Sequence, residues 1–523
     1  MSLDTSWHEY IVSGTVLAAW VFSLVGGYSV DNAGRRRTIL VAAVVFGAGS
    51  LGMALAPTKE LLLVGRLVVG MGVGLASVST PVYLAETSAP AVRGQVVTTF
   101  QVGVTFGQLA ASIVCGLLSA TAGGWRWMLG LAGVPSAVLL VGALLLPESP
   151  RWLVAQGRLE EAVCVLRVLR GAARAGDDDD QVEANVQREL QDMKESDMEH
   201  NKADPGGSTV VRVLRTRSAR CPLLIASMLA SVQQLAGVNT VMYYSASIIQ
   251  MAGVGALGAA IWLSVLVALA NFAFSVVGVF LIERVGRRPL LLGSLGGVVM
   301  ALVLLAAGFL VMDLTSPLVT EVLTDTLSPD LCTAAARCSD CVSSSLGCGF
   351  CYSSNASTPT TCRSLGNVPD AEACSGDGDV TRAVGWCPSG YSWIAVAALV
   401  LYLVMFSPGL GPVPWAVNSE IHPTWARGVS GGVAASCHWG FNLLVSLTFL
   451  TLVENLTAKG AFLVYAALGV AGWLLIYAVL PETRGIRLED MEALFRDEAG
   501  GEPMPRGCVG GEPGGAAAAP SLT

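Results

Sequence analysis

The residues best suited to chemistry in this chain are uncharged amides set in apolar surroundings. Gln101 and Gln108 share one apolar run, Gln233, Gln234 and Asn239 share another, and Asn271 and Asn442 stand in two more. A carboxamide offers a donor and an acceptor side by side, which matches vicinal hydroxyl groups. Buried without a partner it costs roughly 1–3 kcal/mol, so each must face a bundle interior or a cavity. The bland alternative is a bond between helices, worth about 0.6 kcal/mol, and for any one amide taken alone that is the default. His438 could bond a hydroxyl, take a proton, or sit packed and neutral. No covalent chemistry is implied. The phosphate-binding pattern G-x4-G-K-[ST] is absent, so ATP-driven pumping is unsupported and we expect neither an enzyme nor a cofactor.

Charges and cysteines supply further signals. Glu86, Arg93, Glu148, Arg151, Glu283, Arg287, Glu420, Arg427 and Glu482 all fall where apolar runs end. Arg66 is the clear charge well inside a run, and an intramembrane Arg is a functional-site hypothesis with a partner expected. No Asp or Glu stands deep in any run to serve it. Cys332, Cys338, Cys341, Cys348, Cys351, Cys362, Cys374 and Cys387 cluster in one segment. Their C-x2-C spacings can mean zinc. An even count, an acceptor for glycosylation at Asn355-Ala-Ser357 and an oxidising side favour disulfides and no metal. The connectivity is open, since eight cysteines allow about 105 pairings.

The elements that must position these residues are membrane helices. Hydrophobic residues make up 53% of 523 and charged residues 13%, against about 25% charged in a soluble domain; mean hydropathy is +0.61. Such a composition excludes a soluble enzyme, a nucleic-acid binder and a disordered protein. A helix crossing a ~30 Å hydrocarbon layer needs about 20 apolar residues. Eleven runs qualify: 10–30, 38–56, 61–83, 96–119, 127–146, 222–250, 258–282, 290–312, 392–417, 429–453 and 460–480. Arg35–Arg37, Arg284 with Arg287 and Arg288, and twelve Lys or Arg in 151–220 fall on one side, which the positive-inside rule makes cytosolic. The segment 313–391 then faces outside. With eleven spans the amino terminus would also lie outside.

Internal repetition explains that oddity. Asp31-Asn-Ala-Gly-Arg-Arg-Arg37 resembles Glu283-Arg-Val-Gly-Arg-Arg-Pro289 at an offset of 252. Glu86 precedes Arg93-Gly94 as Glu420 precedes Arg427-Gly428, and Pro147-Glu-Ser149 echoes Pro481-Glu-Thr483, both at 334. The difference of 82 requires an insertion between Pro289 and Glu420, and 313–391 fits it. Parallel six-span repeats build one large class of transporters, with substrate held between the halves. The repeat mate of span 222–250 would precede Met1, so the pattern predicts twelve spans with the first absent. The charged span ends could merely sit among headgroups. Their recurrence at fixed spacing argues instead for a cytosolic gate of ion pairs, each worth only ~0–1 kcal/mol and therefore easily broken.

The motifs Gly34-Arg-Arg-Arg37, Pro81-Val-Tyr-Leu-Ala-Glu86, Pro147-Glu-Ser-Pro-Arg151, Gln233-Gln-Leu-Ala-Gly-Val-Asn239, Gly411-Pro-Val-Pro-Trp415 and Pro481-Glu-Thr-Arg-Gly485 resemble the sugar-porter branch of the major facilitator superfamily. Asn239-Thr-Val-Met-Tyr-Tyr-Ser245, Val417-Asn-Ser-Glu420 and the cysteine-rich insertion resemble its proton–myo-inositol cotransporters. The resemblance implies an all-α polytopic membrane protein of two six-helix bundles, with eleven of twelve spans present. It places Gln101, Gln233, Gln234 and Asn239 in a sugar pocket, with Trp415 and Trp439 stacked on the ring. His438 stands where many sugar porters carry an amide, which bears on substrate preference. Arg66 would act in proton coupling beside an Asp of the first helix. The cysteine cluster resembles a plexin-type module.

The implied organisation is 1–150 as the first bundle, 151–220 as a cytosolic linker with short helices, 221–312 with 392–482 as the second bundle, 313–391 as the extracellular module and 483–523 as a mostly disordered tail. Within the linker an amphipathic helix is expected around 159–169, followed by a polar stretch. The implied function is proton-driven carriage of myo-inositol or a related polyol by a monomer, in lipid of the plasma membrane. A hexose transporter and a non-transporting sugar sensor are the alternatives, and no nucleic acid is involved.

Overall fold

A computed structural model describes residues 5–89, 92–170, 179–203, 209–320, 335–343, 348–353, 360–364, 380–423, 425–483 and 495. Inside hydrocarbon every backbone group must bond within its own segment, so apolar runs become helices. The first half holds α1 (Thr5–Ala33), α2 (Arg35–Leu55), α3 (Lys59–Thr87), α4 (Arg93–Leu118), α5 (Gly124–Gly130) and α6 (Gly133–Leu145). A polar layer follows: α7 (Pro150–Ala155), α8 (Leu159–Arg170), α9 (Asp179–Ala203) and α10 (Thr209–Arg215). The second half holds α11 (Arg217–Leu235), α12 (Val238–Met251), α13 (Leu257–Val285) and α14 (Arg287–Leu314). After the insertion come α16 (Ser392–Phe406), α17 (Val413–Glu420) and α18 (Arg427–Val479).

Nine helical stretches among the described residues are long and apolar enough to cross a membrane. One of them, α18, turns through a kink at Thr457 (φ 65°) and covers the last two expected spans. The span expected at 392–417 is α16 joined to α17 through turns. Large apolar side chains such as Leu145, Leu55 and Trp127 point outward, as lipid-facing surface requires.

Two short turns carry the repeat into three dimensions. Gly34 (φ 97°) joins α1 to α2, and Gly286 (φ 99°) joins α13 to α14, both in backbone that favours glycine. The Glu148 carboxylate accepts from the Arg35 and Arg36 amides at 3.0 and 3.1 Å. Glu482 accepts from the Arg287 and Arg288 amides, both at 3.0 Å. Each carboxylate thus caps a helix start, where free N–H groups and the helix dipole favour negative charge. A Cβ at Gly34 or Gly286 would stand 2.6 or 2.8 Å from an oxygen of the capping carboxylate.

The two halves meet along two seams. In the first, α1 lies against the start of α18, so closely that a Cβ on Gly27 would reach 2.6 Å from the Gly428 carbonyl oxygen. In the second, α4 lies against α13, where Phe106 and Phe272 pack with ring centres 5.6 Å apart.

The polar stretch after Arg170 contains a 25-residue helix, α9, longer than the short helices expected there. Val186, Leu190 and Met193 recur at helical spacing and pack on Ala162 and Leu166 of α8. High overall polarity hides that stripe in the sequence. Arg167–Glu183 and Arg170–Glu189 pairs bind the two helices at 2.8 and 2.6 Å, and the Glu183 carboxyl is pushed down to about 2 by the Arg167 guanidinium. Arg170 also donates to the Thr87 carbonyl, tying this layer to α3.

In the insertion, α15 (Cys338–Ser343) precedes a three-stranded antiparallel sheet of β1 (Cys348–Ser353), β2 (Thr361–Ser364) and β3 (Val380–Ala383), ordered β2-β1-β3. Disulfides Cys338–Cys387 and Cys341–Cys362 clamp it, and Cys348 and Cys351 are also disulfide-bonded. Cys332, Cys374, Asn355 and nearly all of the tail lie outside the described residues.

Candidate functional site

A cavity of about 300 Å³ lies between the halves, at the small end of the ~300–1,000 Å³ usual for ligand sites. Its position follows from an interrupted helix. Gly237 (φ 85°) breaks the run into α11 and α12, freeing the Ala236 carbonyl, which accepts from the Tyr402 hydroxyl at 2.9 Å. Irregular backbone at membrane depth survives where it lines a cavity or is buried in protein. All ten residues expected to bind substrate line this one cavity: Gln101, Gln108, Gln233, Gln234, Asn239, Asn271, Trp415, His438, Trp439 and Asn442.

The amides are held by one another. Gln233 Nε2 donates to the Leu410 and Gly411 carbonyls, both at 2.7 Å, and its Oε1 lies 3.0 Å from His438 Nδ1. Asn239 Nδ2 donates to Gln234 Oε1. Across the α4–α13 seam, Asn271 Nδ2 donates to Gln108 Oε1 at 3.0 Å, while the Ser407 hydroxyl donates to Asn271 Oδ1 at 2.7 Å. Asn442 donates to the Tyr243 hydroxyl at 3.4 Å, and Trp439 Nε1 donates to Ser77 Oγ at 3.2 Å. The Gln108–Asn271 bond therefore joins helices and lines the cavity at once. His438 sits between Trp415 and Trp439, with ring centres at 4.7 and 5.1 Å. Sequence reasoning missed Ser77, Tyr243 and Ser407; their hydroxyls are too common in apolar helices to signal alone.

On the arginine-rich side the expected charges form a symmetric cluster. Glu86 takes a two-pronged bond from Arg35, both contacts 2.8 Å, and the Ser149 hydroxyl at 2.5 Å. Arg427 crosses from the other half to 3.6 Å from Glu86. Its repeat mate Glu420 pairs with Arg287 at 3.3 Å, feels the Arg93 cation from the first half, and Arg287 also holds Glu283 at 3.1 Å. Glu148 and Glu482 do something else: they cap helices inside their own halves. Arg151 lies in the first turn of α7, two residues after Ser149, whose hydroxyl bonds Glu86. Asp31, read only as part of a loop motif, accepts from the Val429 amide at 3.1 Å and so bridges the halves too. Arg66 lies on α3 outside the cavity lining, its Nε buried without a hydrogen-bond partner; no ion pair to it exists among the described residues.

Two helical halves, a polar cavity between them and a buried cluster of charges on the arginine-rich side match a secondary carrier of the major facilitator fold. The chain matches the sugar (and other) transporter family over residues 2–323 and 378–495 and belongs to that family. The break in the match falls inside the inserted segment. Among relatives, the human proton myo-inositol cotransporter is 43% identical over 508 residues, covering 95% of this chain and 77% of that protein. Proton myo-inositol cotransporter hmit-1.1 of Caenorhabditis elegans is 36% identical, over 95% of this chain and 84% of that one. The solved proton:xylose symporter XylE bound to 6-bromo-6-deoxy-D-glucose superposes with a TM-score of 0.69 at 23% identity, over 95% and 91% of the two chains.

Proposed function

We propose that this carrier moves myo-inositol, or a closely related polyol, together with protons by alternating access. The observation that carries the reading is the cavity itself: amides from both halves, no charged side chain in the described lining, and two indoles beside it. A ring bearing a hydroxyl on every carbon needs paired donors and acceptors around its edge, which carboxamides supply. Inositol rather than hexose, and protons as the coupling ion, rest on the relatives named for that activity. The ten lining residues are assigned to substrate, with Trp415 and Trp439 flanking the ring.

The charge cluster acts as the cytosolic gate. Its inter-half members, Arg427 with Glu86 and Arg93 with Glu420, part when the cytosolic side opens, while Glu148 and Glu482 keep each half rigid. Arg66 bears on coupling from α3. The chain divides into bundles at 1–150 and 221–312 with 392–482, a cytosolic linker at 151–220, a disulfide-rich extracellular module at 313–391 that is glycosylated at Asn355, and a tail from 483. It works as a monomer in the plasma membrane. Counterflow in proteoliposomes tests the substrate assignment: preloaded inositol should drive entry of labelled inositol, and glucose should not compete. Exchange of glucose alone would make the chain a hexose carrier, and no exchange of either would favour a sensor.

A further inference from the structure

The short helix α10 and the start of α11 carry charge and apolar surface that neither the cavity nor the charge cluster uses. Arg212, Arg215, Arg217 and Arg220 fall within nine residues, and no Asp or Glu occurs between Asp204 and Glu283. The stretch from Ile421 to Val453, which includes the first limb of α18 packed against α10, holds no acid either. Positive charge is thus gathered on one patch of the arginine-rich side with no carboxylate supplied by its own segment or by α18.

One face of α10 is held. Val213 is buried against Ala219 and Leu223 of α11 and against Ala426, with Trp425 beside them. The Arg212 guanidinium lies over the Trp425 ring at 4.5 Å, a favourable cation–π contact. The other face is bare: Val210, Val211 and Leu214, at i, i+1 and i+4, are 50%, 47% and 56% exposed. Arg215 and Arg220 are exposed as well, and neither enters an ion pair among the described residues.

The span that follows fixes the depth of this surface. Arg220 and Leu224 stand four apart and so share one face of α11. Leu224 is 61% exposed within an apolar span, which makes it lipid-facing. Arg220 therefore sits one turn, ~5.4 Å, outside a lipid-facing leucine. That is headgroup level, where an arginine lays its stem along apolar surface and keeps its charge in the polar layer.

We propose that α10 and the start of α11 form a binding surface for an anionic phospholipid of the adjoining leaflet. Val210, Val211 and Leu214 rest on the acyl chains at the headgroup boundary, as the apolar side of an interfacial helix does. Arg215 and Arg220 hold the phosphate and the second acidic group of the headgroup through charge-assisted hydrogen bonds. A zwitterionic lipid brings its own cation to the same arginines and binds more weakly. An acidic soluble protein would match the charge but not Leu224, whose surroundings are hydrocarbon. The held face of α10 packs on Ala426, the residue before Arg427, so a lipid seated here braces the base of α18. The inference uses the membrane-spanning fold and is independent of the polyol reading.

Purified full-length protein in detergent is mixed with equal amounts of phosphatidylserine and phosphatidylcholine, and retained lipid is counted by native mass spectrometry. Wild type should retain phosphatidylserine in preference. An arginine close to an anionic lipid surface is worth about 5-fold in affinity. Arg215→Gln combined with Arg220→Gln should therefore weaken phosphatidylserine binding about 30-fold and remove the preference. Arg158→Gln combined with Arg167→Gln takes the same charge from arginines already paired with Glu161 and Glu183, and should keep it. Wild type retaining both lipids alike would overturn the proposal and leave the patch to an acidic protein. A double variant at 215 and 220 that retains phosphatidylserine as wild type does would overturn it too. Should that variant fail to insert, wild type is compared in about 0.1 M and 1 M ammonium acetate, where screening shortens from about 10 to 3 Å. A preference that falls supports the proposal, and an unchanged one overturns it.

Discussion

The α1–α18 seam can be opened with a single methyl group. A Cβ on Gly27 would sit 2.6 Å from the Gly428 carbonyl oxygen and 3.0 Å from Gly432 Cα. Both neighbours are backbone, so no side chain can swing aside and the helices must separate. Overpacking of this kind costs roughly 1–3 kcal/mol. On the proposed gate this seam forms as the halves close on the charged side, so Gly27→Ala should raise the closed form alone. A shift of 1–3 kcal/mol changes the ratio of closed to open forms by about 5- to 150-fold. Inositol uptake should fall, and a cysteine placed at Asn418, just inside the gate, should react faster with a cytosolic thiol reagent. Gly52→Ala is the control, since nothing stands within 4 Å of its added carbon, and it should leave both readings unchanged. Normal uptake and unaltered labelling in Gly27→Ala would refute the idea that this seam closes the cytosolic side.

Gln234→Ala and Asn239→Ala should each cut inositol transport sharply with surface expression near normal; expression falling in step with transport would make these amides structural glue. Glu86→Gln removes the charge facing Arg35 and Arg427, which are 5% and 0% exposed. Breaking such a buried pair costs roughly 3–5 kcal/mol, so purified protein should melt at clearly lower temperature, and an unchanged melting point would count against the pairing. In native protein, thiol reagents should label exposed Cys164 but not Cys338, Cys341, Cys348, Cys351, Cys362 or Cys387. Deleting 332–387 with a short bridging linker should leave transport intact, because that segment is inserted between α14 and α16 and gives no residue to the described cavity lining.

The spans were legible because membrane helices leave a strong mark in apolar runs; the pocket residues were placed by the resemblance, since an amide in such a run bonds between helices as readily as it faces a cavity. The repeat offsets located the insertion without any strand being foreseen, since β1 to β3 are short and held by disulfides rather than by an apolar pattern. Spacing could not tell which charges cross between halves. Glu86 and Glu148 look alike in sequence, yet one meets Arg427 across the seam and the other caps α2. Asp31 was assigned no role beyond the loop motif because a carboxylate at a helix end normally faces water, and only the packing of α18 half-buries it. In α9, the stripe of Val186, Leu190 and Met193 was outweighed by its polar neighbours.

Concentrative uptake tests the central claim most directly. Cells expressing the chain are given labelled myo-inositol at acidic and alkaline external pH, with and without excess glucose and with a protonophore. The account predicts accumulation above the external level at acidic pH, abolished by the protonophore and untouched by glucose. Uptake that merely equilibrates, is indifferent to pH, or is blocked by glucose would contradict it.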